Sequence, residues 1–98
     1  MILHTVNKSP LNSPCLNSCL RTIAQNDALL LIEDGVYGAV EHFSALLVSI
    51  PEGVPVFVLQ ADLLARGLQE RLNPSVQVVD DEGFVDLCCQ YSKTQSWY

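Results

Sequence analysis

Basic residues are scarce. Across 98 residues, five Lys and Arg stand against eleven acids, for a formal net charge of −6. They form no run. Direct binding of DNA or RNA by this chain is therefore not expected, because phosphate contacts need clustered Lys and Arg. Long apolar runs are missing too. A membrane helix needs about 20 apolar residues, and no stretch comes near that. The N-terminus lacks a basic region followed by an apolar run, so a cytoplasmic protein is expected. Neither GxGxxG nor GxxxxGK occurs, so no nucleotide cofactor is expected. The nucleophile elbow GxSxG is also absent. The four cysteines, Cys15, Cys19, Cys88 and Cys89, do not have the CxxC spacing of a zinc knuckle or redox motif. No metal is expected, and in the cytoplasm the four are expected as thiols rather than disulfides. Internal repeats and low-complexity segments are lacking.

What is present is apolar. Hydrophobic residues make up 49% and charged residues only 16%. One domain over residues 1–98 fits this length, and so large an apolar load on so small a surface points to a face buried against another subunit. The run Ala28-Leu29-Leu30-Leu31-Ile32 has no polar break. A half-exposed strand would alternate, so this one reads as covered on both faces, as in a parallel sheet. Glu33-Asp34-Gly35 then stops it.

Taken in order, Ile2 to Val6 reads as a first strand. His4 inside it is expected as a hydrogen-bonded structural residue. Ser13-Pro14 opens a helix to Ala24 or Gln25, with Ser as N-cap and Pro at the first helical position. Asn26-Asp27 turns into the central strand. Val36 to His42 suggests a short helix, and Phe43 to Ile50 a second, apolar enough to be a partner surface. Val54 to Leu59 is a third strand. A helix over Leu63 to Arg66 ends at Gly67. After a turn through Leu72 comes a fourth strand, Val76 to Val79. Asp80-Asp81-Glu82 caps a last helix from Gly83 to Tyr91, where Phe84, Leu87, Cys88 and Tyr91 share the expected core face. Ser96-Trp97-Tyr98 is placed as a small edge strand or a docking tail. The alternation predicts an α/β fold: helices on both faces of a mainly parallel sheet of four to five strands.

The chemistry on offer is limited. Glu33, Asp34, Asp62, Asp80 and Asp81 follow strands, where acids suit Mg²⁺ but also suit helix starts; capping is the preferred reading. A phosphorylatable receiver domain is a poor fit, because no pair of acids follows the first strand. Cys19 is the only plausible nucleophile, with His4 and His42 as bases by position alone. On a helix whose apolar stripe is Leu16, Leu20 and Ile23, Cys19 falls about 60° off Leu16 and Cys15 about 100°. That puts Cys19 at the edge of the buried face, where the helix dipole would lower its pKa.

The segment Ile2-Leu3-His4-Thr5-Val6-Asn7-Lys8-Ser9-Pro10 closely resembles the opening of the DsrH/TusB family. The likeness continues through Leu30-Leu31-Ile32-Glu33-Asp34-Gly35-Val36-Tyr37, Asp62-Leu63-Leu64-Ala65-Arg66-Gly67, Gly83-Phe84-Val85-Asp86-Leu87 and Ser96-Trp97. It is weakest over Phe43 to Gly53. The resemblance implies a small three-layer α/β sandwich of the DsrE/F/H type. It implies a subunit of a heterohexamer, two copies each with DsrE/TusD-like and DsrF/TusC-like sisters, that relays persulfide sulfur to an acceptor of the DsrC/TusE type. The chain would be a component of a sulfurtransferase complex, not a stand-alone enzyme. The relay serves cytoplasmic sulfur oxidation in the Dsr branch and 2-thiolation of tRNA wobble uridine in the Tus branch. Cys19 falls where DsrH proteins carry a first-helix cysteine and typical TusB proteins do not. This favours the DsrH branch and makes Cys19 the candidate persulfide-carrying thiol. The main sulfur-accepting cysteine of such complexes lies on the DsrE/TusD subunit, so a purely structural role for this chain is the alternative.

Overall fold

A computed structural model describes residues 1–98. Five strands form one sheet: β1 (Ile2–Val6), β2 (Ala28–Leu31), β3 (Val56–Leu59), β4 (Gln77–Val79) and β5 (Lys93–Trp97). The order is β4-β3-β2-β1-β5, and every pairing is parallel. β2 is the middle strand, and all four of its residues are buried. The unbroken apolar run explains this, since a middle parallel strand has no wet face for a polar residue.

Four α-helices connect the strands: α1 (Cys15–Thr22), α2 (Ser44–Leu47), α3 (Gln60–Ala65) and α4 (Asp81–Gln90). Leu16, Cys19 and Ile23 of α1 and the loop after it, Val36 and Ala39, and Leu63 of α3 pack on Val6, Leu29, Leu31, Val56 and Val58. On the other face, Leu87 of α4 packs with Leu3, Ala28 and Leu30, flanked by half-buried Phe84 and Tyr91. The layers are thus helix, sheet, helix, with α4 alone on one side. This follows from the strand order. Connections stepping from β1 to β4 run one way and the return to β5 runs the other, and right-handed crossovers then fall on opposite faces.

Several expectations need correction. The helix expected over Val36–His42 is 3₁₀, at Glu33–Ala39 and Glu41–Phe43. Gly35 and Gly38 account for this. A Cβ at Gly35 would lie 2.0 Å from the Val6 carbonyl oxygen, and one at Gly38 would lie 2.8 Å from Leu16 Cδ2. The chain is pressed against the end of β1 and against α1, and a tighter turn suits that course. The apolar stretch Phe43–Ile50 yields only the four-residue α2, with Val48 81% exposed. α1 stops at Thr22, short of Ala24. Its start is near the expected one, since Ser13 Oγ accepts from the Cys15 N–H at 3.2 Å.

The tail is a full strand. β5 lies parallel to β1, with Ile2 opposite Lys93 and Val6 opposite Trp97. The last helix begins at Asp81, two residues before the expected start at Gly83, and Asp80 caps it as expected, its Oδ1 accepting from the Gly83 N–H at 2.8 Å. Cys88, however, is exposed rather than core. α4 turns Leu87 inward, and with only one buried residue on the helix the neighbouring position is left in water.

Candidate functional site

Cys19 was expected at the helix edge with a lowered pKa. The structure places it at the centre of the buried face, 0% exposed, while Leu20 takes the margin. The stripe that meets the sheet is Leu16, Cys19 and Ile23, at spacings of three and four. Burial pushes the Cys19 thiol up to about 12, and the Asp27 carboxylate pushes the same way. Cys19 also lies beyond the first turn of α1, where the helix dipole has little hold. A thiol in this position is protonated at neutral pH and shut off from solvent. All four cysteines are free; Cys15 is half-buried and Cys88 and Cys89 are exposed.

Neither histidine reaches Cys19 as a hydrogen-bonded base. His4, 1% exposed, is tied up elsewhere. Its Nε2 lies 2.9 Å from Asp27 Oδ2, and its Nδ1 accepts from Trp97 Nε1 at 3.1 Å. His42 has its ring edge-on to Phe43. It lines an open groove of about 380 Å³ with Leu11, Tyr37, Leu68 and Arg71.

The His4 network settles its own protonation pattern. An indole N–H can only donate. His4 Nδ1 must therefore offer a lone pair, and the ring proton sits on Nε2, pointing at Asp27. Asp27 also accepts from the backbone N–H of Ile2 at 2.9 Å and of Ala24 at 3.0 Å. Burial alone would raise the Asp27 carboxyl, but these donors, His4 first, outweigh it and hold it below the usual carboxylate value. The stability this lends is present at neutral pH and is lost only as pH falls through that lowered value. Asp27 joins the start of β1 to the end of α1, and Trp97 joins β5 to the same ring.

Sequence reasoning found His4 but missed Asp27 and Trp97. One signal was available. If the first two strands are parallel neighbours, with Leu3 opposite Ala28, the residue just before the apolar run lies beside the start of β1.

The acids after the strands do not gather. No group of three or more His, Cys, Asp or Glu side chains forms a metal-sized cluster. Asp62 Oδ2 accepts from the Glu33 N–H at 2.7 Å, where Glu33 has a left-handed φ of 49°. Asp34 takes Arg66 at 2.8 and 3.0 Å. These bonds tie α3 to the turn after β2. No helix is long and apolar enough to cross a membrane.

A family model described as "DsrH like protein" matches residues 8–94. The chain is similar to "Protein TusB" of Pectobacterium parmentieri, 31% identical over 96 residues, covering 98% of this chain and 100% of the relative. It is similar to "Protein TusB" of Photorhabdus laumondii at 32% over the same coverage. Among solved structures, the ychN protein from E. coli superposes with a TM-score of 0.82 at 17% identity, covering 98% of this chain and 97% of that one. Protein Tm0979 from Thermotoga maritima superposes at 0.69 and 25% identity, covering 92% and 93%. These two show the same fold.

Proposed function

Because the chain belongs to the DsrH-like family, we propose that it is a small subunit of a persulfide sulfur relay, and that it completes the assembly rather than carrying sulfur itself. One observation supports the second half of that reading: the Cys19 thiol is sealed in the core and held protonated. A persulfide carrier must present a thiolate to its donor and then to its acceptor. The partners are the sister subunits that the family resemblance implies, of DsrE/TusD and DsrF/TusC type in two copies each, with an acceptor of DsrC/TusE type. The first-helix cysteine points to the sulfur-oxidation branch, while the TusB name of the relatives points to wobble-uridine thiolation.

The test is co-expression with the two sister subunits, loading with a persulfide donor, and mass spectrometry of each chain. A three-subunit complex is expected, with added sulfur on the DsrE/TusD-type sister and none on Cys19. Iodoacetamide is expected to label Cys88 and Cys89 readily and Cys19 only after unfolding. An added sulfur on Cys19 would make it the carrier. Failure of any three-subunit complex to form would end the relay reading. Transfer onward to a sulfite-oxidising system or to tRNA distinguishes the branches.

A further inference from the structure

We propose that His4, Asp27 and Trp97 form an acid-sensitive latch that holds the end of the C-terminal strand, released when His4 gains a proton at Nδ1. The observation behind it is a conflict of donors. Trp97 Nε1 donates to His4 Nδ1 at 3.1 Å. A proton on Nδ1 would set N–H against N–H at that distance, so the protonated ring and the indole cannot both keep their places. Asp27 does not resist the change. It is already an acceptor at Nε2, and its carboxylate favours a cationic ring. The indole is the partner that must move.

The surroundings allow it to. Trp97 is the last residue of an edge strand that pairs only with β1, and Tyr98 beyond it is 82% exposed. The other four residues of β5 are exposed. The end of this strand is anchored by the indole, which packs against the larger core cluster, and by one long hydrogen bond from Thr5 Oγ1 to Ser96 Oγ at 3.3 Å. Few charged groups face the ring. Asp27 lies on the turn before β2, and Cys19 of α1 is neutral beside it. Lys93 shares the ring's face of β5 two positions from Gln95, the register partner of His4, and is exposed. Met1 at the start of β1 is exposed as well. Arg21 of α1 lines a groove with Ala45 and Leu46 of α2, on another side of that helix. The latch stands apart from the sulfur-relay reading, since it depends on no thiol.

Trp97 is the one tryptophan in the chain, so its emission reports on the latch directly. As the pH is lowered, the full chain is expected to lose Trp97 emission in one step. After correction for intrinsic rates, amide exchange at residues 94–97 should speed up roughly tenfold, the size expected for one lost hydrogen bond. Amides of β2 and β3 should hold. Before acidification, ¹⁵N shifts of the His4 ring should show the proton on Nε2. His4→Gln, which cannot titrate, should abolish the step, and His42→Gln should leave it. A proton on Nδ1 at neutral pH overturns the proposal. So does His4 gaining its proton with emission and exchange at 94–97 unchanged, or a step that coincides with loss of every β2 and β3 amide. The ring shifts and the exchange need no variant, so a poorly folding His4→Gln leaves the test intact.

Discussion

The two faces of the sheet are built unequally. One carries a cluster of 15 buried residues under α1, α2, α3 and the 3₁₀ turns. The other carries four, under α4 alone. On the first, Leu16, Leu29, Leu31, Val36 and Val58 are at most 1% exposed. On the second, the helix contributes a single buried side chain, Leu87, and the sheet side is finished by half-buried Ile32, Phe57 and Val79. The lesson is that stability and adaptability are placed on opposite sides. The thick face fixes the sheet. The thin face has few buried contacts to lose, which is the condition for local opening at low cost.

Breaking each face in turn measures the inequality. Leu16→Ala should cost about 3–4 kcal/mol, because the cavity is walled by α1 and the Gly38 turn and cannot collapse. Leu87→Ala should cost about 2 kcal/mol, at the low end for such a change, because α4 can settle onto the sheet. Urea denaturation gives both, and equal costs would mean that the faces are equivalent after all.

Alkaline pH sharpens the comparison next. The folded Cys19 thiol holds its proton up to about 12, whereas a free thiol releases it near 9.0. Stability from this group is whole below pH 9. Above that the unfolded chain loses the proton first, and stability falls by about 1.4 kcal/mol per pH unit. Cys19→Ala should cost roughly 1–2 kcal/mol at neutral pH and lose that slope, whereas Cys88→Ala, on the thin side, should keep it. The readout is the denaturation midpoint at several pH values. The smallest effect is expected from Asp80→Ala, which removes the cap of α4 and should cost about 1 kcal/mol. Faster amide exchange confined to α4 would confirm that this helix opens on its own.

Much of this architecture was legible in the residues. The unbroken run in β2 could only be a middle strand, and the α/β alternation leaves few options besides a parallel sheet. The phases of the helices were harder to read. Whether Cys19 or Leu20 faces inward turns on about 100° of rotation, and an apolar stripe of Leu16, Leu20 and Ile23 is nearly as good as Leu16, Cys19 and Ile23. Packing on Leu29 and Leu31 chose between them. The same ambiguity misplaced Cys88. The His4 network was out of reach for another reason. Its members lie 23 and 93 positions from His4, and Asp27 has the composition of an ordinary turn. Only the strand order brings them together.

That order has a consequence for how the molecule is made. The outermost strand on the β1 side is the last in the chain, while its neighbour is the first. During synthesis β1 therefore waits with one row of amide and carbonyl groups unmatched until some ninety further residues have followed. A nascent chain can assemble β1 through β4 beforehand, but its sheet remains open along that margin, a place where a chaperone or a stray strand could bind before Lys93–Trp97 arrives to close it.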